Sequence, residues 1–224
     1  MSAPPVISFA NSVPGAQGLA NSILNSPTLQ ALNKTIWLFS IVEITHLLFL
    51  VLVGGSTLIL ALRTLDVTLG DVAVIDVERL TRPWLRAGTI GGILSGIFLS
   101  MATALTLVGN GAFLVKILAL AAAVLFGFAL GGRLRGSGRT LQNTLTGAGA
   151  LLLGVGIWLL ASTKILAAGS ILLGAVFAVF LLLVFIARLR KGEADSDRFA
   201  QLLAIGTVVA WLTVAVGGRW IGFS

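Results

Sequence analysis

Two ionisable side chains, Glu43 and His46, lie three residues apart within a long apolar stretch of the sequence. An α-helix turns about 100° per residue, so the two side chains project within about 60° of each other. Ionisable groups at hydrocarbon depth are costly, and by default they mark a functional site. His46 is also the only histidine in the chain. The pair therefore indicates a polar site inside a membrane.

Three roles are open to His46. It could be a hydrogen-bonded structural residue. It could ligate haem or a metal ion, because neutral imidazole is a common ligand and a carboxylate such as Glu43 can orient it. It could also exchange protons with Glu43. The chain has no second histidine, which excludes a bis-histidine haem, and the predicted spans contain no acid besides Glu43, which excludes a carboxylate metal centre.

Four further residues could complete this site. Met101, the only internal methionine, is a candidate second axial ligand for haem, and the alternatives are a ligand from another subunit or an open sixth position. Gly54 returns to within about 20° of the direction of Glu43, which leaves room for another helix or a flat ligand. Lys116 and Arg219 could balance the charge of Glu43 or of haem propionates. Their alternative role is snorkelling to the membrane interface.

The elements that must position these residues are membrane-spanning helices. Of the 224 residues, 57% are hydrophobic and 10% are charged, and the mean hydropathy is +1.06. About 20 apolar residues in a helix cross the hydrocarbon core, and continuous apolar runs rule out spanning strands. We therefore predict an all-α polytopic bundle of six transmembrane helices, approximately over Thr35–Leu62, Ala87–Val108, Ala112–Gly131, Thr144–Ala161, Ile165–Ala187 and Phe199–Gly217.

The predicted spans form one transmembrane domain over residues 35–224. Residues 1–34 contain four prolines and lack a basic start followed by an apolar core, so we expect an external N-terminal segment without a cleavable signal. The loop Arg63–Arg86 mixes apolar and charged residues, which predicts a short amphipathic element on the cytoplasmic surface. Trp84 is expected at the inner interface and the other tryptophans, Trp211 among them, near the outer one.

Basic residues are concentrated on one predicted side of the membrane. The chain carries 15 basic and 8 acidic residues, for a net charge of +7. Eleven of the 15 fall on the same side, namely Arg63, Arg79, Arg82, Arg86, Arg133, Arg135, Arg139, Arg188, Arg190, Lys191 and Arg198. The positive-inside rule assigns that side to the cytoplasm, so both termini are predicted to be non-cytoplasmic. This distribution indicates membrane orientation, and we expect no nucleic-acid partner.

Several motifs together resemble a family of uncharacterised bacterial inner-membrane proteins. They are Trp37-Leu38-Phe39 followed by Glu43-Ile44-Thr45-His46-Leu47-Leu48, then Gly54-Gly55, Leu62-Arg63-Thr64-Leu65, Asn110-Gly111-Ala112-Phe113 with Lys116, and Trp211 with Gly218-Arg219-Trp220-Ile221. The resemblance implies a multi-helix fold and a location in the bacterial cytoplasmic (inner) membrane. It implies no established activity. Under it, Glu43, His46, Lys116 and Arg219 look like the family's recurring polar positions.

The sequence favours a non-catalytic subunit of the inner membrane, either a scaffold or a component that holds a b-type haem through His46. The alternative is a small proton-coupled transporter that uses Glu43 and His46. Glycine-rich spans such as that around Gly91, Gly92 and Gly96 predict tight helix packing and homo- or hetero-oligomers with other membrane proteins. An enzyme is least favoured, because the chain has no cysteine and no nucleophile–base arrangement, P-loop or dinucleotide fingerprint.

Overall fold

The computed structural model describes residues 36–103, 107, 110–162 and 198–221, together with residues 18, 21, 22 and 25–27. These residues form five long helices, which are α1 (Ile36–Thr64), α2 (Val74–Ala102), α3 (Gly111–Leu134), α4 (Arg139–Ser162) and α5 (Arg198–Trp220). All five are long and apolar enough to cross a membrane, which confirms the prediction of an all-helical, multi-pass membrane protein. The predicted span Ile165–Ala187 lies outside the described residues, as do the charges Arg188, Arg190 and Lys191.

Helix α2 begins well before the span predicted to start at Ala87. The prediction of a separate amphipathic element over Arg63–Arg86 was wrong, because residues 74–86 are the first turns of α2 and the connecting loop covers only residues 65–73. A helix of 29 residues is about 43 Å long, whereas the hydrocarbon core is about 30 Å thick. The charged first turns therefore extend beyond the apolar part of the same helix.

Arg63 holds the short loop between α1 and α2. Its guanidinium group donates to the carbonyl oxygens of Val72 (2.6 Å) and Gly70 (3.3 Å), and it pairs with Asp66 at 2.5 Å. Asp66 has a φ of 61°, and the N–H of Val67 reaches back to the carbonyl of Leu62 at 2.9 Å. This is the geometry of a Schellman helix end, and it turns the chain back into α2 within a few residues.

Helix α3 lies at the centre of the described helices. The ring of Phe126 packs against Gly149 of α4 and Gly206 of α5, and both neighbours run antiparallel to α3. The buried core around this ring is rich in alanine, including Ala119, Ala122, Ala123 and Ala129. Small residues allow helix backbones to approach closely in lipid. The glycine pattern therefore serves packing at Gly149, as predicted.

Helix α2 uses glycine in the same way against α1. A Cβ added at Gly88 would lie 2.9 Å from Val53 and 3.0 Å from the carbonyl oxygen of Phe49, and one at Gly91 would overlap the Phe49 ring. By contrast, a Cβ at Gly147 or Gly154 of α4 would meet no other atom of the described residues within 4 Å. A high density of glycines in a span therefore does not by itself predict close packing. Close packing is found at Gly88 and Gly91, which face α1, and not at Gly147 or Gly154.

Trp211 joins α5 to α1. Its indole N–H donates to the hydroxyl of Thr57 at 2.8 Å, and Thr57 in turn donates to the carbonyl of Val53 at 2.8 Å. A Cβ added at Gly54 would lie 3.2 Å from the indole ring. The prediction that Trp211 lies near the outer interface was wrong, because Gly54 leaves space for the ring inside the bundle and Thr57 accepts its N–H.

We expect Trp211→Phe to lower the free energy of unfolding by about 1 kcal/mol, since it removes one hydrogen bond to a buried acceptor. Circular dichroism during denaturation in mild detergent would measure the change. Trp37→Phe is the matched control, because Trp37 is largely exposed. An equal loss in both variants would contradict a specific contribution from the bond to Thr57.

The helix directions place the described charges at two ends of the bundle. At one end of the bundle, the C-terminal ends of α1 and α3 meet the N-terminal ends of α2, α4 and α5. We call this the basic end. It carries Arg63, Arg79, Arg82, Arg86, Arg133, Arg135, Arg139 and Arg198. Lys116 and Arg219 belong to the opposite end, in the first turns of α3 and the last turn of α5. The charge asymmetry expected from the sequence is therefore present in the described helices.

Candidate functional site

His46 lies at the contact between α1 and α2. Its side chain is half-buried, and its Nδ1 is 2.9 Å from the hydroxyl oxygen of Ser95. A Cβ added at Gly96 would lie 3.2 Å from Cε1 of the ring, so the glycine makes room for the imidazole. The adjacent residues Ser95 and Gly96 of α2 thus form the surface that receives His46.

The tautomer of His46 depends on where the hydroxyl proton of Ser95 lies. When the hydroxyl donates this proton to the carbonyl of Gly91 at 2.6 Å, its oxygen accepts the proton on Nδ1, and the lone pair of the neutral imidazole is on Nε2. Metal-ligating histidines are generally held in this way, with one ring nitrogen donating to a protein group and the other binding the metal. The geometry is therefore compatible with ligation through Nε2.

Lys116 lies on α3 near the same site. Its side chain is half-buried, and its positive charge acts electrostatically on His46. The Lys116 stem passes Gly218 of α5, where an added Cβ would lie 3.9 Å from Cδ and Cε. An added Cβ at Gly217 would lie 3.1 Å from the backbone nitrogen of Lys116. The two glycines before Arg219 thus allow α5 to approach Lys116 closely.

Glu43 is not part of this cluster. Its side chain is exposed, and it forms no ion pair or hydrogen bond with the residues that the structure describes. The pairing with Lys116 expected from the sequence is therefore not found there. The separation of about 60° between Glu43 and His46 is enough to place the imidazole against α2 and the carboxylate on the bundle surface. Arg219 is also exposed, in the last turn of α5.

Met101 and Gly54 are not brought to His46 either. Met101 is exposed and follows Gly96 by five residues, which places it about 140° around α2 and about 7.5 Å along its axis. Gly54 is about 12 Å along α1 from His46, and the indole of Trp211 covers it. Of the two occupants expected beside Gly54, the structure places another helix there. Among the described residues, no three His, Cys, Asp or Glu side chains form a group that could hold a metal ion.

A second polar cluster, which the sequence analysis did not identify, lies at the basic end. Glu78 of α2 has a side chain that is only 2% exposed, and it accepts hydrogen bonds from two arginines. Arg82 donates through Nε to Oε1 (3.1 Å) and through Nη2 to Oε2 (3.0 Å). Arg135, at the end of α3, donates to Oε1 through Nη1. We refer to Glu78, Arg82 and Arg135 as the Glu78 cluster.

One signal for this cluster was present in the sequence. Glu78 and Arg82 have the four-residue spacing of a helical ion pair, but the segment was assigned to a loop. Arg135 is 57 residues away from Glu78 in the chain, so only the packing of α2 on α3 brings them together. Gly131 permits the contact, because an added Cβ there would lie 3.1 Å from Oε1 of Glu78.

Comparison with known proteins identifies one family. Residues 36–144 match the model of a family of unknown function (DUF6644), and this stretch contains both His46 and the Glu78 cluster but not the motif around Arg219. No curated protein and no solved structure matches the chain. Residues 36–144 are therefore similar to a family whose function is not established, which confirms the predicted resemblance to an uncharacterised family.

Proposed function

We propose that this protein is a non-catalytic integral membrane subunit that holds a b-type haem through Nε2 of His46. The observation that carries the proposal is the contact of 2.9 Å between Nδ1 of His46 and the hydroxyl of Ser95, to which Nδ1 can donate while Nε2 carries the lone pair. Haem suits this donor set better than a bare metal ion, because the macrocycle supplies the equatorial ligands and a single histidine can be the proximal ligand. Lys116 would supply positive charge to the propionates.

The second axial position would not be filled by Met101. Met101 lies on a different side of α2 from Gly96, against which the imidazole packs. A site of this kind would be five-coordinate or would take a ligand from another subunit. The second possibility agrees with the oligomers that the sequence favours. The proton-relay alternative has less support, since Glu43 is exposed and forms no hydrogen bond with His46.

The same proposal includes six crossings of a bacterial inner membrane. Helices α4 and α5 both run antiparallel to α3, so α4 ends at the end of the bundle opposite to that at which α5 begins. The chain between them has to return across the membrane, and Ile165–Ala187 is the apolar segment available for it. The positive-inside rule would then place the basic end in the cytoplasm and residues 1–34 outside.

The absorption spectrum of the full chain, purified in mild detergent with and without added haem, tests the proposal. We expect a Soret band that is lost in His46→Ala. Ser95→Ala removes only the group that orients the ring, and we expect it to weaken haem binding by about 10- to 100-fold.

Glu43→Gln is the matched control, because Glu43 lies one turn from His46, is exposed and forms no hydrogen bond with it. Its spectrum should equal that of the unmodified protein. A protein that shows no Soret band even after haem supplementation, or a band that survives His46→Ala, would contradict the assignment of His46.

A further inference from the structure

The Glu78 cluster lines an open cleft between α2 and α3 at the basic end. The interior of the cleft measures only about 20 Å³, the room of about one water molecule, so a larger ligand would bind at its solvent-open mouth. Its polar side is formed by Arg82, Arg86 and Arg135 around Glu78. Two of these guanidinium groups bind the carboxylate of Glu78 and Arg86 adds a third positive charge, which leaves an excess of positive charge at the cleft. Neither the site at His46 nor the proposed haem uses this cleft.

Most of the hydrogen-bond donors of these arginines remain after Glu78 is satisfied. A guanidinium group has five N–H donors, and the carboxylate of Glu78 takes two from Arg82 and one from Arg135. The side chains of Arg82 and Arg135 are 32% and 28% exposed, so their outer edges are accessible from the cleft mouth. Arg86 is exposed and forms no ion pair with the described residues. Arginines arranged in this way suit a phosphate group.

The rest of the lining includes apolar residues. They are Leu60 of α1 and Leu85 of α2, which are buried, and Phe128 of α3, which is partly exposed. Trp84, next to Leu85 in sequence, is 57% exposed, as is typical of an aromatic residue at a membrane interface. The accessible arginines together with this exposed tryptophan suit a ligand that has an anionic head and an apolar tail. Free phosphate would match only the arginines.

We propose that this cleft binds the phosphate group of an anionic phospholipid, with Arg86 as the main free contact and Arg82 and Arg135 completing the head-group site. Basic pockets between transmembrane helices on the cytoplasmic side of a membrane recognise lipid head groups in this way. Glu78 holds two of the three guanidinium groups in place, so the site is organised before the lipid arrives.

Native mass spectrometry of the full chain in neutral detergent, with phosphatidylglycerol or phosphatidylcholine added, tests the proposal. We expect preferential retention of phosphatidylglycerol and a loss of affinity of about tenfold in Arg86→Gln. Arg86→Lys keeps the charge and should retain most of the binding.

Arg79→Gln is the matched control, since Arg79 lies on the same helix and is 69% exposed but does not line the cleft. Its affinity for phosphatidylglycerol should be unchanged. Equal losses in Arg79→Gln and Arg86→Gln, or equal retention of the two lipids, would show only a general attraction to a basic surface and would overturn the proposal. Binding of inorganic phosphate with the same dependence on Arg86, without selectivity among lipids, would overturn the assignment to a lipid.

Discussion

Glu78→Gln is expected to lower the free energy of unfolding by about 2–4 kcal/mol. The substitution keeps the size of the side chain but removes the charge that Arg82 and Arg135 share. Removal of one partner from a buried ion pair costs far more than the net contribution of the pair, because the remaining charges stay clustered and partly desolvated. The arginines are partly exposed and can regain some hydration, which places the expected loss below the upper end of the usual range.

The measurement is the denaturation of the purified chain in mild detergent, followed by circular dichroism. Asp76→Asn is the matched control, because Asp76 lies two residues away on α2 and pairs with Arg79 where both side chains are more than half exposed. Exposed pairs contribute about 0–1 kcal/mol. If Glu78→Gln and Asp76→Asn proved equally mild, the Glu78 cluster would not be what holds α2 to α3.

Gly127→Ala is expected to destabilise the bundle by about 1–3 kcal/mol. The added Cβ would lie 2.5 Å from Cγ2 of Thr57, and Thr57 cannot move aside easily. Its side chain is buried, it donates to the carbonyl of Val53, and it accepts the indole N–H of Trp211. Relief of the clash would therefore separate α3 from α1 or break the link between α1 and α5.

The same substitution at Gly147 should have the opposite sign. A Cβ at Gly147 would meet no atom of the described residues within 4 Å, and alanine is favoured over glycine in a helix by up to about 1 kcal/mol. Thermal denaturation of the two variants in the same detergent would compare them directly. A neutral or stabilising effect of Gly127→Ala would show that the contact between Gly127 and Thr57 is looser than the structure indicates.

Hydropathy located the helices because the membrane imposes a length on them. Both α1 and α3 begin and end within three residues of the predicted spans, since each is an apolar run bounded by polar residues. Helix α2 was misplaced at both ends. Its hydrophobic run begins after Arg86, but the helix itself begins at Val74. A helix can extend beyond the membrane, where its residues are no longer apolar and hydropathy does not detect it.

The candidate site was predictable only in part. His46 was identified because a lone imidazole in an apolar span is unusual, and Lys116 was identified as a candidate charge partner. Ser95 was missed, because serine is common in transmembrane helices and its meeting with His46 depends on how α1 and α2 are rotated against each other. The same rotation leaves Glu43 exposed. The three-residue spacing suggested that Glu43 and His46 share one site, but their side chains lie in different environments.

The sequence by itself determined that this chain is a multi-pass helical membrane protein with most of its basic residues at one end. The length of each apolar run and the positions of the charged residues beside it are local properties, so both are read directly from the sequence. Only the tertiary structure decided which polar groups meet. Three contacts depend on the faces through which helices far apart in the chain meet. They are the contact of His46 with Ser95, the link between Trp211 and Thr57, and the burial of Glu78 between two arginines. Those faces are chosen by close packing at glycines such as Gly96, Gly54 and Gly131, where the absence of a side chain lets one helix approach another.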